Sequence, residues 1–143
     1  RQESAFASAA KSPVGAMGLM QLMPTTANFV AQKNHLAKPS YNDLITPEKN
    51  IALGTSYLKM LSNDLNNHMV LTTASYNAGM SRIKRWMPTQ AISSDIWIEN
   101  IPYAETRDYV KNILTYMKIY KTHLNESFSL RQVMRPIGLS EES

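Results

Sequence analysis

The sequence predicts an all-α domain with at most a vestige of β structure. Apolar residues recur at helical spacing, prolines stand where helices should begin, and no segment shows sustained apolar–polar alternation. The chain has 143 residues, 43% of them hydrophobic and 18% charged, which suits a globular domain with one core. No repeat, low-complexity tract or change of composition marks a second domain.

Two helices are predicted in the first half. Residues 24–34 begin with a proline followed by two threonines, and residues 46–65 have Thr46 as a candidate N-cap and Pro47 at the first helical position. One face of the second helix is predicted to be buried: Ile51, Gly54, Leu58, Leu61 and Leu65. Because Gly54 costs about 1 kcal/mol relative to alanine in a helix, we expect another backbone to pack closely there.

Two short helices and one long helix are predicted in the second half. Residues 71–79 end at a glycine in a left-handed C-cap position, and residues 81–87 end before Pro88. Residues 103–124 form the longest predicted helix. Its apolar stripe is wide enough to predict burial on more than one side. That stripe contains Tyr109, Val110, Ile113, Leu114, Met117, Tyr120 and Leu124. Residues 11–18 are predicted as a loop or at most a trace of sheet.

Composition narrows the function. A net charge of +4 and a pI of about 9.4 favour a polyanionic partner. However, only "RIKRW" (82–86) clusters basic residues, so no nucleic-acid partner is predicted. No apolar run approaches the roughly 20 residues that span a bilayer. Cysteine is absent and the three histidines lack metal-ligand spacing, so neither a metal site nor a cofactor is predicted.

A lone carboxyl stands in the opening stretch, "RQESAF" (1–6). Glu3 is surrounded in sequence by Phe6 and alanines. Apolar surroundings disfavour the charged carboxylate and raise its pKa, which suits a general acid. Taken alone, an isolated glutamate near a helix end is ordinarily a solvated helix residue.

Three later segments also suggest chemistry. In "SPVGAMGLMQLMP" (12–24), a glycine-lined turn lets a polymer approach the backbone, and methionine offers an apolar floor for a sugar, although methionines at this spacing are usually core. "ASYNAG" (74–79) places Tyr76 and Asn77 near a helix end. "IPYAETR" (101–107) places Glu105 in a first helical turn, where it also complements the helix dipole.

Together these segments resemble the catalytic domain of the soluble lytic murein transglycosylases, a group with a goose-type-lysozyme-like fold. The family's opening motif matches "RQESAF" and continues through "SPVGAMGLMQLMP", its second matches "ASYNAG" and its third matches "IPYAETRDYV". The likeness covers roughly residues 1–122, with "TPEKNIALGTSYL" between the motifs. One departure is Met80, which is bulkier than the small residue or proline expected there and is expected to narrow the cleft rim.

The resemblance implies a role for each matching residue. Glu3 corresponds to the single catalytic acid. The residues implied to bind or line the path of the glycan are Ser12, Gln21, Met23, Tyr76, Asn77 and Glu105. Peptidoglycan strands are the implied partner, and the periplasm or cell envelope is the implied location. The family mechanism needs no metal and no cofactor.

The resemblance also implies how the chain is divided into a domain and an extension. Residues 1–124 form the expected catalytic domain, and residues 125–143 form a weakly patterned, partly mobile extension. Glu3 lies so close to Arg1 that the helix holding it is expected to be truncated, with natural sequence upstream. Further upstream domains or partners in an envelope complex are also expected.

The implied reaction cleaves the bond between N-acetylmuramic acid and N-acetylglucosamine without water and closes a 1,6-anhydro ring. Two alternatives stay open. A lysozyme-like hydrolase would need a second carboxylate, such as Asp95, Glu99 or Glu105, at roughly 5–9.5 Å from Glu3. A non-catalytic glycan-binding or envelope-assembly module would retain the fold without turnover.

Overall fold

The computed structural model describes residues 11–126 and 129–138, so Glu3 and the rest of the RQESAF stretch lie outside the described residues. Eight helices and three isolated β-bridges occur within those ranges, which confirms the predicted all-α fold with vestigial β structure. The helices are α1 (Pro24–Lys33), α2 (Tyr41–Ile45), α3 (Pro47–Asp64), α4 (Met69–Ala78), α5 (Met80–Arg85), α6 (Ser94–Glu99), α7 (Ala104–His123) and α8 (Leu130–Val133). The chain divides into two compact units, Arg1–Met60 and Leu61–Ser143.

Helix α3 begins at Pro47 as predicted, but its buried face differs from the prediction. Ile51 is 43% exposed, whereas Asn50 and Leu53 are buried. The prediction of Ile51 as a core residue is therefore wrong, because the polar Asn50 takes the interior position beside it. The Thr46 carbonyl accepts the hydrogen bond from Asn50 N–H, at 2.9 Å, while the Thr46 hydroxyl bonds back to α2.

Gly54 is a point of close approach, as expected, but its neighbour is a side chain. A Cβ atom at Gly54 would overlap the side chain of Met20, including its Sδ and Cβ atoms. One of these atoms is Met20 Cβ, so the backbone that carries this side chain also lies close to Gly54, in keeping with the expectation. Met20 lies across the glycine and links α3 to the loop that precedes α1.

The second unit has one hydrophobic core centred on α4. Its buried members are Val70, Leu71, Ala74, Ala78, Ile83, Trp97, Ile98, Ile101, Val110 and Ile137. Helix α7 packs on α4 and on α6. Helix α4 is buried over most of its length. The core packing around α4 therefore fixes the position of its last turn, which carries Tyr76 and Asn77.

Helix α7 has nearly the predicted bounds, but the predicted burial on more than one side is wrong for its second half. Tyr116 and Ile119 are exposed, and Tyr120 is 63% exposed. Helix α7 has 20 residues, whereas α4 has 10 and α6 has 6. At 1.5 Å per residue, α7 extends beyond the helices that cover its first half.

The C-terminal segment contributes to the core of the second unit. Ile137 is 1% exposed and forms an isolated bridge with Ile92, with both backbone hydrogen bonds at 2.8 Å. Gly138 follows with a φ of +130°, against the backbone of residues 90 and 91. The weak patterning of residues 125–143 conceals this anchor because a single buried isoleucine produces no periodic signal.

His68 connects α4 to the same segment. Its Nδ1 atom accepts from Leu71 N–H at 3.5 Å and so caps α4, while its Nε2 atom lies 2.9 Å from the Arg135 carbonyl oxygen. A carbonyl only accepts, so Nε2 carries the proton and Nδ1 is left as the acceptor. The site therefore requires a neutral imidazole, and burial, reinforced by the positive charge of Arg135, lowers the pKa of His68.

Substituting His68 with asparagine should reduce the loss of stability in acid. The unfolded histidine takes up its proton near pH 6.5, whereas the folded one resists it, so folding stability falls as the pH drops below about 6.5. Asparagine still accepts from Leu71 N–H but does not titrate. We expect the Tm of the wild type to fall more steeply than that of the His68→Asn variant between about pH 7 and pH 5. Equal slopes, or the same change in an exposed His123→Asn control, would contradict this assignment.

Candidate active site

The site residues predicted from the sequence fall into two described groups, one in each unit, and Glu3 lies outside the described residues. The first group stands in the loop before α1: Ser12, Gln21 and Met23. The second group stands at the facing ends of two helices of the second unit: Tyr76, Asn77 and Glu105.

The loop before α1 folds back on itself. Lys11 and Met17 form one isolated bridge, and Met17 and Leu22 form another, with hydrogen bonds of 2.8 and 2.9 Å between the backbones of the latter pair. The turn between them closes through a bond of 3.1 Å from Gln21 N–H to the Gly18 carbonyl. The predicted trace of sheet is present as these bridges.

Asn50 of α3 holds this loop from beneath. It is 0% exposed. Its Oδ1 atom accepts from Met20 N–H at 2.8 Å, and its Nδ2 atom donates to the carbonyl oxygens of Met17 at 2.9 Å and Leu44 at 2.8 Å. A buried amide with its hydrogen bonds satisfied fixes its neighbours in one arrangement.

Gly18 is required by the same contact. Its φ of +77° lies in the left-handed region, and a Cβ atom there would overlap the Asn50 side chain and the Leu44 carbonyl. Asn50 is a site-supporting residue that was not predicted from the sequence. Its partners Met17 and Met20 lie 33 and 30 residues away in the sequence, so no local pattern predicts its role.

Local hydrogen bonds hold the polar residues of the loop in place. Gln21 has a φ of +49°, which non-glycine residues rarely adopt, and its side-chain Nε2 atom donates to the Gly18 carbonyl at 2.8 Å. Strained backbone of this kind is concentrated at functional sites. The Ser12 hydroxyl accepts from Ala16 N–H at 2.9 Å, which uses one of its two lone pairs.

The methionines of the loop divide between core and surface. Met17 is buried, and Met20 packs against Gly54. Met23 is 37% exposed at the residue before α1. The interpretation of these methionines as core residues therefore holds for Met17, whereas Met20 is half-buried against Gly54 and Met23 is exposed.

In the second unit, Tyr76 and Asn77 lie in the last turn of α4. Gly79 ends the helix with a φ of +93° and a ψ of 146°, so the predicted positive φ is present, but the ψ is extended, not that of a left-handed helix. Helix α5 begins at the next residue, Met80, whose sulfur lies 3.9 Å from the hydroxyl oxygen of Ser75. Met80 thus turns back towards α4.

Asn77 contacts the start of α7 directly. Its Oδ1 atom accepts from the hydroxyl of Thr106 at 2.7 Å, and Thr106 is 1% exposed. Glu105, one residue earlier, is exposed in the first turn of α7, where a carboxylate is favoured by the helix dipole. The structure therefore brings the second and third sequence motifs together.

The described ranges contain neither a metal site nor a membrane-spanning helix. No group of three or more His, Asp or Glu side chains there is arranged to hold a metal ion. No helix within the same ranges is both long and apolar enough to cross a membrane.

Comparison with known families gives two matches. The pattern of the transglycosylase SLT domain matches residues 1–97, which include the first two motifs. The pattern of the soluble lytic transglycosylase helical domain matches residues 100–128, which include α7.

Individual relatives of the chain bear names that agree with these two family matches. The chain is 41% identical to the soluble lytic murein transglycosylase of Escherichia coli K12, over 91% of this chain and 21% of that protein. Among solved structures, lytic transglycosylase Slt from Pseudomonas aeruginosa, an inactive mutant with glutamine in place of a glutamate, is 44% identical over 94% of this chain and 22% of that one, with a TM-score of 0.82.

A 70-kDa soluble lytic transglycosylase in complex with bulgecin A is 38% identical over 91% of this chain and 22% of that one. Its TM-score is 0.80. The chain thus spans about a fifth of the length of these relatives. Since the SLT pattern alone covers 97 of the 143 residues, the chain belongs to the transglycosylase SLT domain family.

Proposed function

We propose that this chain is the catalytic domain of a peptidoglycan lytic transglycosylase. It cleaves the β-1,4 bond between N-acetylmuramic acid and N-acetylglucosamine and leaves a 1,6-anhydromuramic acid end. The observation that carries the proposal is the match over residues 1–97, which contains Glu3 and the loop with Gln21 in one family pattern. Identities near 40% to proteins named lytic transglycosylases support it.

Glu3 performs two proton transfers in the proposed reaction. It first donates a proton to the glycosidic oxygen, so that N-acetylglucosamine departs and an oxocarbenium-like or acetamido-assisted intermediate forms on the muramic sugar. The resulting carboxylate then removes the proton of the sugar's own C6 hydroxyl. That oxygen attacks the anomeric carbon and closes the anhydro ring. An intramolecular nucleophile has a high effective molarity, so no second carboxylate is needed to activate water.

The remaining site residues bind the glycan. Ser12 and Gln21 offer polar groups on a loop whose backbone is fixed by Asn50, and the exposed Met23 offers an apolar surface for a sugar face. Tyr76 and Glu105 stand at the ends of α4 and α7, which share a hydrogen bond between neighbouring residues. Preorganisation of such contacts reduces the entropy lost when a sugar strand binds.

The proposed location is the periplasm or cell envelope, with peptidoglycan strands as the partner. A net charge of +4 favours an anionic wall polymer. Several relatives bear the name soluble or membrane-bound lytic murein transglycosylase, which supports the same compartment.

Mass spectrometry of the products tests the proposal. Purified sacculi are digested with the protein, and the muropeptides are compared with those from a hydrolase digest of the same sacculi. We expect anhydro ends, lighter by one water molecule than the reducing ends of the hydrolase digest. Bulgecin A, bound in one solved relative, should suppress their formation. Reducing ends alone, or binding without turnover, would overturn the proposal in favour of a hydrolase or a binding module.

A further inference from the structure

The ends of α4 and α7 meet at a buried hydrogen bond. The Thr106 hydroxyl donates to Asn77 Oδ1 at 2.7 Å, across 29 residues of sequence, and Thr106 is almost fully buried. Asn77 directly follows Tyr76, and Thr106 directly follows Glu105. This bond therefore fixes the backbone that carries one proposed sugar-binding residue against the backbone that carries another.

A second contact joins the same two helix ends. The guanidinium of Arg82 donates to the Ala78 carbonyl, the last residue of α4, at 3.1 Å. Its central carbon also lies 4.9 Å from the ring centre of Tyr103, the residue before α7. One cation thus satisfies a terminal carbonyl of α4 and stacks on the aromatic residue at the start of α7.

The aromatic residue is itself anchored to the core. Trp86 packs edge-on to Tyr103, with ring centres 5.2 Å apart and an interplanar angle of 71°. The Trp86 carbonyl accepts from the indole N–H of the buried Trp97 at 3.0 Å. Tyr103 therefore contacts both Arg82 and Trp86, and these two contacts link α5 and the residue after it to the start of α7.

We propose that Thr106 is a positioning residue for the transglycosylase reaction, acting through Asn77, with Arg82 on Tyr103 as a second positioning contact. This inference rests on the proposed function. Together the two contacts set Tyr76 relative to Glu105. The side-chain oxygen of Asn77 is engaged by Thr106, so Asn77 acts as part of the scaffold of the site.

The effect should appear in turnover more than in affinity. A misplacement of about 1 Å in a catalytic site lowers the rate roughly a hundredfold. A glycan strand, by contrast, spreads its ground-state binding over several sugars, so the loss of one orientation changes KM little. A hydroxyl that only stabilised the fold would change neither constant once the protein is folded.

The central test compares valine and serine at position 106. Thr106→Val keeps the shape and removes the donor, whereas Thr106→Ser keeps the donor. Thr115→Val is the matched control, since Thr115 lies on the same helix and its exposed hydroxyl donates to the Lys111 carbonyl of its own helix, at 2.9 Å. Each variant is assayed for anhydro-product formation well below its measured Tm, with rates expressed per folded molecule.

We expect kcat of Thr106→Val to fall about tenfold to a hundredfold with KM changed less than about threefold. Thr106→Ser should recover most of kcat, and Thr115→Val should match the wild type. A kcat equal to that of the wild type in folded Thr106→Val, a loss confined to KM, or a failure of serine to rescue would overturn the role of Thr106.

The second contact can be tested by a substitution at an exposed residue, Arg82. Because its side chain is exposed, Arg82→Gln should fold normally and lower kcat about tenfold, whereas Arg85→Gln on the same helix should have no effect. Equal rates for Arg82→Gln and the wild type would overturn the second contact. A wild type that forms no anhydro product would overturn the proposed function and this inference together, whereas an active wild type with fully active variants would overturn only the positioning role.

Discussion

Glu3→Gln should lower anhydro-muropeptide release by about a thousandfold or more. Glutamine has nearly the same shape but cannot donate a proton to the glycosidic oxygen or accept one from the C6 hydroxyl. In the proposed mechanism one carboxyl performs both transfers, so no other group of the site compensates.

Binding and folding should survive this change. The Glu3→Gln variant should still bind insoluble sacculi and unfold at a Tm close to that of the wild type. Glu48→Gln is a suitable control, since Glu48 is an exposed glutamate in the first turn of α3. Residual turnover above about a tenth of the wild-type rate in folded Glu3→Gln exceeds what loss of a general acid permits and would remove Glu3 from the mechanism.

Asn50→Asp should destabilise the protein by about 3 kcal/mol or more. The amide nitrogen of Asn50 donates to two buried carbonyls, at 2.8 and 2.9 Å. A carboxylate would replace that donor with an acceptor, so that two carbonyl oxygens and a buried negative charge face one another. Each unsatisfied buried group costs about 1–3 kcal/mol.

Urea unfolding measures this loss. Asn63→Asp on the same helix is the control, because Asn63 is exposed and should change stability by less than about 0.5 kcal/mol. The loss at position 50 should be smaller at acidic pH, where the introduced carboxyl is protonated and regains a donor. If Asn50→Asp and Asn63→Asp unfold at the same urea concentration, Asn50 does not hold the loop.

Helix positions followed closely from the sequence. Pro24 and Pro47 mark the starts of α1 and α3 because proline fixes φ and tolerates the first helical turn. The face that each helix buries was less predictable. Ile51 was expected in the core, but a polar residue with three available partners displaced it. Burial of an asparagine depends on carbonyl groups far along the chain, which periodicity does not register.

The residues of the candidate site and their roles were predicted from motifs, but the contacts that hold these residues in place were not. The motifs placed Tyr76, Asn77 and Glu105 at helix ends, where the structure has them. The contact of Asn77 with Thr106 joins residues 29 apart in sequence, and no local pattern predicts it. Similarly, Ile137 fills the core through a pairing with Ile92 that spans most of the second unit.

The central claim is that the nucleophile comes from the sugar itself, with water excluded from the bond that forms. Digestion of sacculi in water enriched in oxygen-18, followed by mass spectrometry of the released muropeptides, tests it most directly. We predict anhydro products that carry no isotope, because the C6 oxygen of the substrate closes the ring. Reducing ends labelled with oxygen-18 at the anomeric carbon would contradict the account and identify the protein as a hydrolase.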